Sequence, residues 1–188
     1  MTFDSALDDV DQVLALSLLF GLRYTREARI ASLSVSSPDL RSAAFADALA
    51  RFLGGPGNRN SLAIGIPTGG ARNASAMVNA VLSKTLPNGK RAYPQGIQKL
   101  NDTADEAALI RNGIPAQQPA NGVVVLTGPA SNIVRAVALT GCRDLASQRV
   151  RTFVISSTET ALKSDRSQID IHTLALAEHT PLALRLQL

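Results

Sequence analysis

The chain of 188 residues has no tryptophan, and aromatic residues make up only 4% of it. Single-stranded nucleic acid is held by aromatic platforms set among basic side chains, so this scarcity weighs against such a surface. A net charge of +4 and a pI near 9.7 would argue for nucleic acid only if the basic residues were gathered on one face. They are not. The closest groupings are Arg23, Arg26 and Arg29, and the pair Arg149 and Arg151, which read as a solvated surface. Nucleic acid is therefore not an expected partner. The single Cys142 excludes an internal disulfide and fits a reducing compartment. Together with two histidines far along the chain, His172 and His179, it gives no zinc spacing. Long apolar runs are missing too: the longest, Val13 to Leu22, is interrupted by Ser17 and is too short to span a membrane. Acidic residues precede it where an export signal would carry basic ones, which makes the cytoplasm the expected location. The phosphate-binding and nucleophile signatures GxGxxG, GxxxxGK[ST] and GxSxG are absent.

With 45% apolar residues, the chain is long enough to bury one real core, and a single domain over residues 1–188 is expected. Val10 to Leu22 reads as a helix apolar on nearly all sides, hence sandwiched against a sheet. "ARIASLSVSS" alternates as a strand through Ile30, Leu33 and Val35. The helix after it has Ser37 as N-cap, Pro38 at its first position and Gly54-Gly55 as its stop. Ser61 to Ile66 is a short buried strand closed by Pro67, and the polar stretch Thr68 to Asn101 carries one short helix near Ala74 to Ser83. "TADEAALIRNGI" is a helix with Thr103 and Glu106 at capping-box spacing. "GVVVLTGPASNIVRAVALTG" is a strand, a tight turn capped by Ser131, and a helix. "RVRTFVIS" is a strand, "DIHTLALAEH" a helix and "PLALRLQL" a last strand. Alternating strands and helices, with oily strands, imply an α/β fold: a mostly parallel, Rossmann-like sheet with helices on both faces. Ligands in such sheets sit beyond the carboxyl ends of the strands, where Ser36-Ser37, Thr127 to Asn132 and Ser156 to Glu159 fall.

"FDSALDDVDQVLALSLLFGL" sets four carboxylates, Asp4, Asp8, Asp9 and Asp11, directly against a run of leucines. One or two would satisfy a helix N-terminus. Four repel one another unless a cation or solvent intervenes, so a metal rim and a polar helix start both stand as readings.

Two stretches together resemble the nucleoside hydrolase family, calcium-dependent enzymes that cleave the N-glycosidic bond of ribonucleosides. "FDSALDDVDQVLALSLL" is similar to the family's DTDxGxDD motif and the helix after it, and "VLTGPASNIVRA" to its strand-GPLTN-helix turn. "EARIASLSVSS" resembles the second strand, and "YPQGIQKLNDTADEAALIRNGI" the linker and helix ahead of the GPLTN strand. Order and spacing agree from Phe3 to Ser156. The resemblance implies a nucleoside hydrolase-like fold and a calcium ion held by Asp4, Asp8, Asp11 and the Thr127 carbonyl. Asp9 or Asp11 would deprotonate the bound water that attacks the anomeric carbon. Ser37 and Asn132 stand where substrate-binding residues are expected, and a nucleoside or other riboside is the implied ligand.

The sequence also departs from the family. Anchored on "LAL", Asp11-Gln12 falls on the family's Asp-Asp, which puts Gln12 in a ligand position. Ala6 and Leu7 then replace the motif's second acid and its glycine, unless a shift lets Asp8-Asp9 serve as the pair. Ser156-Ser157 replaces a Met-Gly-Gly-like segment. The family's C-terminal portion, with a further metal Asp and a His, has no counterpart. Relief of charge on a departing base has no obvious owner, since Trp is absent and His172 and His179 share one helix face. Three readings follow: a weakened hydrolase, a silent nucleoside- or sugar-binding relative, or a chain without its C-terminal part. Apolar surface left uncovered in so short a relative leads us to expect a homo-oligomer.

Overall fold

The protein is described here by a computed structural model covering residues 1–54, 62–69 and 73–155. The expected helix through His172 and His179, the last strand, and the turn from Ser156 to Glu159 lie outside the described residues. Six strands, β1 (Thr2–Ser5), β2 (Ser32–Val35), β3 (Ile64–Ile66), β4 (Ala104–Asp105), β5 (Gly122–Leu126) and β6 (Val150–Ile155), form one sheet in the order β4-β3-β2-β1-β5-β6. Every pairing is parallel. The chain winds outward from β1 to β4 on one side and crosses to β5 and β6 on the other, which makes the β1/β5 junction the topological switch point.

Phe3, Leu33, Val35, Ile64 and Ile66 meet Leu16, Leu19 and Phe20 of α1 (Val10–Tyr24), the alanine-rich face of α2 (Leu40–Leu53) and Val78 of α3 (Ala76–Ser83) in one core. Val124 and Leu126 meet Ile110 of α4 (Glu106–Gly113), Ile133 and Ala136 of α5 (Ser131–Ala138) and Cys142 of α6 (Cys142–Arg149) in a second. This is the layered α/β architecture expected from the alternation of strands and helices. On β1 and β2, however, one face is polar although fully buried. Thr2 and Ser32 hydrogen-bond to each other at 3.0 Å, and Asp4 stands beside Ser34. Small residues on this face let α4 approach closely: a Cβ on Gly113 would lie 2.8 Å from the Ser32 hydroxyl, and one on Gly65 2.8 Å from the Glu106 Cα.

Several local expectations change. The opening residues before α1 form a central strand, β1, hidden from the periodicity reading because four residues with Phe3 as the one apolar member give no alternation. Helix α1 is not buried all round. Leu16, Leu19 and Phe20 face the core, while Val10, Leu14 and Leu18 are each about three-fifths exposed or more, at 62%, 60% and 67%. Asp39, not Ser37, caps α2, its Oδ1 accepting from the Arg41 N–H at 2.7 Å. Asp105, not Thr103, caps α4, which leaves Glu106 buried as its first residue. Ser131 is the first residue of α5, whose N-cap is Ala130. Helix α6 was not foreseen between α5 and β6. No helix among the described residues is long and apolar enough to cross a membrane.

Candidate functional site

Asp4 sits at the next-to-last position of the central strand, paired in register with Ser34 of β2 and Leu126 of β5. It is fully buried. Its Oδ1 accepts from the Ser34 hydroxyl at 2.5 Å and from the Asn132 side-chain amide at 2.8 Å, while its Oδ2 has no hydrogen-bond partner. Asn132, in the first turn of α5, is also fully buried and donates to the Val35 carbonyl at 3.0 Å, which ties α5 to the end of β2. The chain leaves β5 with the Thr127 N–H donated to the Asp4 carbonyl at 3.0 Å. It leaves β2 with the Ser36 N–H donated to the Ser5 carbonyl at 2.9 Å. At this junction four buried oxygens lack partners: Asp4 Oδ2, Ser36 Oγ, Thr127 Oγ1 and Asn132 Oδ1. Buried polar atoms ordinarily find partners, and a cluster of exceptions at a switch point marks a site where a ligand is expected.

Gly128 is required here. A Cβ would stand 2.6 Å from the Ala6 nitrogen and 2.8 Å from the Ser36 hydroxyl, so the turns after β1, β2 and β5 close on one another only because this residue has no side chain. Burial pushes the Asp4 carboxyl up to about 7, opposed by the Ser34 and Asn132 hydrogen bonds and assisted by the neighbouring Glu106 carboxylate. Glu106, itself fully buried at the end of β4, is paired with Arg135 of α5 at 2.8 Å. Burial raises its carboxyl as well, against the pull of its own backbone N–H and of Arg135. Arg135 also donates to the Thr68 hydroxyl beyond β3 at 3.4 Å. Asp4, Glu106 and Arg135 thus make a compact charged group on the α4–α5 side of the sheet.

The other expected acids are elsewhere. Asp9 is the N-cap of α1, its Oδ1 accepting from the Gln12 N–H at 2.9 Å, and Asp11 is exposed in the first helical turn. The Gln12 amide donates to Asp8 Oδ1 at 3.0 Å and to Asp9 Oδ2 at 2.8 Å, while its carbonyl oxygen accepts from the Asp8 N–H and the Ser5 hydroxyl. Gln12 therefore closes the acidic turn on itself. Leu7, which stands where the family resemblance has glycine, keeps a left-handed backbone with φ of 53° although its side chain is fully buried. Ser37 is buried, its hydroxyl accepting from the Asp39 N–H at 3.4 Å.

Of the expected site residues, then, Asp4, Thr127 and Asn132 come together, and Asp8, Asp9 and Asp11 gather instead at the start of α1. The unpartnered oxygens around Asp4 are the hard donors calcium takes, but only one is a carboxylate oxygen. Among the described residues no group of three or more His, Cys, Asp or Glu side chains is placed to hold a metal ion. As arranged, these residues do not form the acidic calcium rim that the resemblance implies. Ser36 lies in one of the strand-end turns expected to meet a ligand, whereas Ser34, Glu106 and Arg135 were not anticipated. The alternation in "SLSV" held the signal for Ser34, and Glu106 was masked by its spacing from Thr103.

The fold and the placement of this site define an α/β Rossmann-like domain with a buried acid at its switch point. Among solved structures it is similar to the type III effector protein XopQ, solved in complex with adenosine diphosphate ribose, with a TM-score of 0.52 and 16% identity. The match covers 82% of this chain and 43% of that one, so the chain spans less than half the length of its structural neighbour. The likeness is one of fold: a parallel α/β sheet with helices on both faces. No family model and no curated protein matches the chain.

Proposed function

We propose that this domain binds a riboside, either a nucleoside or a nucleotide sugar of the ADP-ribose kind, at the carboxyl ends of β1, β2 and β5, with Asp4 as the organising group. The observation that carries the reading is the buried Asp4 carboxylate with one oxygen unpartnered among three other unpartnered oxygens. Vicinal hydroxyls both donate and accept, so they can partner the Asp4 and Asn132 acceptor oxygens and the Ser36 and Thr127 hydroxyls alike. The ADP-ribose held by the structural neighbour supports the ligand class. Because these atoms are enclosed, binding requires the turns after β1 and β5 to part.

Calcium-dependent hydrolysis is the finer reading, and here the separation of Asp8, Asp9 and Asp11 from Asp4 argues for a degraded activity. A domain so built cleaves natural nucleosides at or below detection. Calcium belongs to this proposal only as a weak ligand of Asp4, competing with a proton. The test is thermal unfolding at pH 8 with inosine, ADP-ribose and ribose, each with and without millimolar calcium. A ligand bound only by the folded state raises the melting temperature by mass action. We expect a rise with at least one riboside, lost in Asp4→Asn and kept in Asp11→Asn. No response to any of them, or loss on Asp11→Asn alone, sinks the reading.

A further inference from the structure

Helix α1 carries a contiguous apolar stripe facing outward. Val10, Leu14 and Leu18 recur every four residues and are 62%, 60% and 67% exposed. Residues at that spacing lie one above the other on a helix surface. Gly21 extends the line, and nothing lies within 4 Å of where its Cβ would be. At its N-terminal end the stripe opens into a cavity of about 220 Å³ between α1, α2 and α3, which Val10 and Phe52 line along with Tyr93. Phe52 is 67% exposed and stacks edge-on against Tyr93 at 5.8 Å. The patch therefore continues from one helix onto its neighbours.

The charges at the two ends of the stripe are opposite. Asp9 and Asp11 are exposed at the N-terminal end of α1, while Arg26 and Arg29 are exposed just beyond its C-terminal end, with Glu27 between them. Such a helix complements an antiparallel copy of itself. From this geometry we infer that α1 is the interface of a twofold homodimer, with Leu14 of one protomer packed against Leu18 of the other. Arranged so, Asp11 of each α1 falls opposite Gly21 in the last turn of its mate, next to the segment that carries Arg26. Antiparallel placement also sets the helix dipoles favourably. A twofold contact uses the same patch twice, which a stripe with acid at one end and base at the other satisfies without further parts.

Sedimentation velocity over a wide concentration range tests this on the full chain. The native protein is expected to move from 19.8 kDa toward twice that mass as concentration rises. The double substitution Leu14→Glu with Leu18→Glu, on exposed positions and with folding checked by circular dichroism, is expected to stay monomeric throughout. Asp11→Arg or Arg26→Asp alone should each weaken association at least several-fold, and the two combined should restore it. A native monomer at every concentration overturns the inference. So does a dimer indifferent to the leucine substitutions, which would place the contact elsewhere. If the combined charge variant fails to recover, the antiparallel arrangement is wrong.

Discussion

At the scale of single residues, Asp4 makes the stability of the domain depend on pH. Its carboxyl is raised to about 7 in the folded protein, chiefly by burial, from the ordinary aspartate value near 3.9 in the unfolded chain. The folded state therefore binds this proton more tightly than the unfolded state does. Stability from the protonated carboxyl is fully present below pH ~4 and is lost as pH rises through about 7. An asparagine keeps an oxygen to accept from Ser34 and Asn132 but cannot ionise. In calcium-free denaturant titrations, Asp4→Asn should gain on the native protein by up to roughly 4 kcal/mol as pH rises from 4 to 8, the equivalent of three pKa units. A difference that stays flat across that window would mean that Asp4 is not held as described. The same residue shows what the sequence concealed. Asp4 was visible as a member of an acidic cluster, yet nothing in "FDSALDDVD" separates the one carboxylate on a central strand from the three at the start of a helix.

Between elements, the site depends on how closely three turns approach. Gly128 lets the turn after β5 close on Ala6 and Ser36. Adding a methyl group there forces backbone to move, because the nearest atom is a main-chain nitrogen at 2.6 Å. Gly128→Ala should cost about 1–3 kcal/mol by overpacking, read as a lower urea midpoint, and should also weaken riboside binding. An unchanged midpoint would show that the turns have slack the structure does not. Elements with strong periodicity were legible beforehand: β2, α2, α3, β5 and β6 appear close to where apolar spacing placed them. Caps were less so. Asp39 and Asp105 displace Ser37 and Thr103 because each carboxylate reaches backbone N–H groups from the position next to the helix. Helix α1 was misjudged in its outer face, since an all-apolar run reads as buried unless the neighbours that cover it are known.

Over the whole molecule, the parallel sheet and its two helical layers follow from alternation of strand and helix, and this much was readable from sequence. Strand order was not. It places β1 and β5 side by side across more than a hundred residues of chain, and with them Asp4 and Asn132, 128 residues apart. The acidic motif and the GPASN turn were each recognisable, whereas their meeting at Asp4 is a consequence of topology. That meeting is the core of the functional proposal. The most direct test is the electron density of crystals grown with ribose and calcium. A ribose hydroxyl or an ion is expected in contact with Asp4 Oδ2, with Thr127 and Asn132 beside it. Density bound instead by Asp8, Asp9 and Asp11 at the start of α1, or none at the ends of β1, β2 and β5, would contradict the proposal.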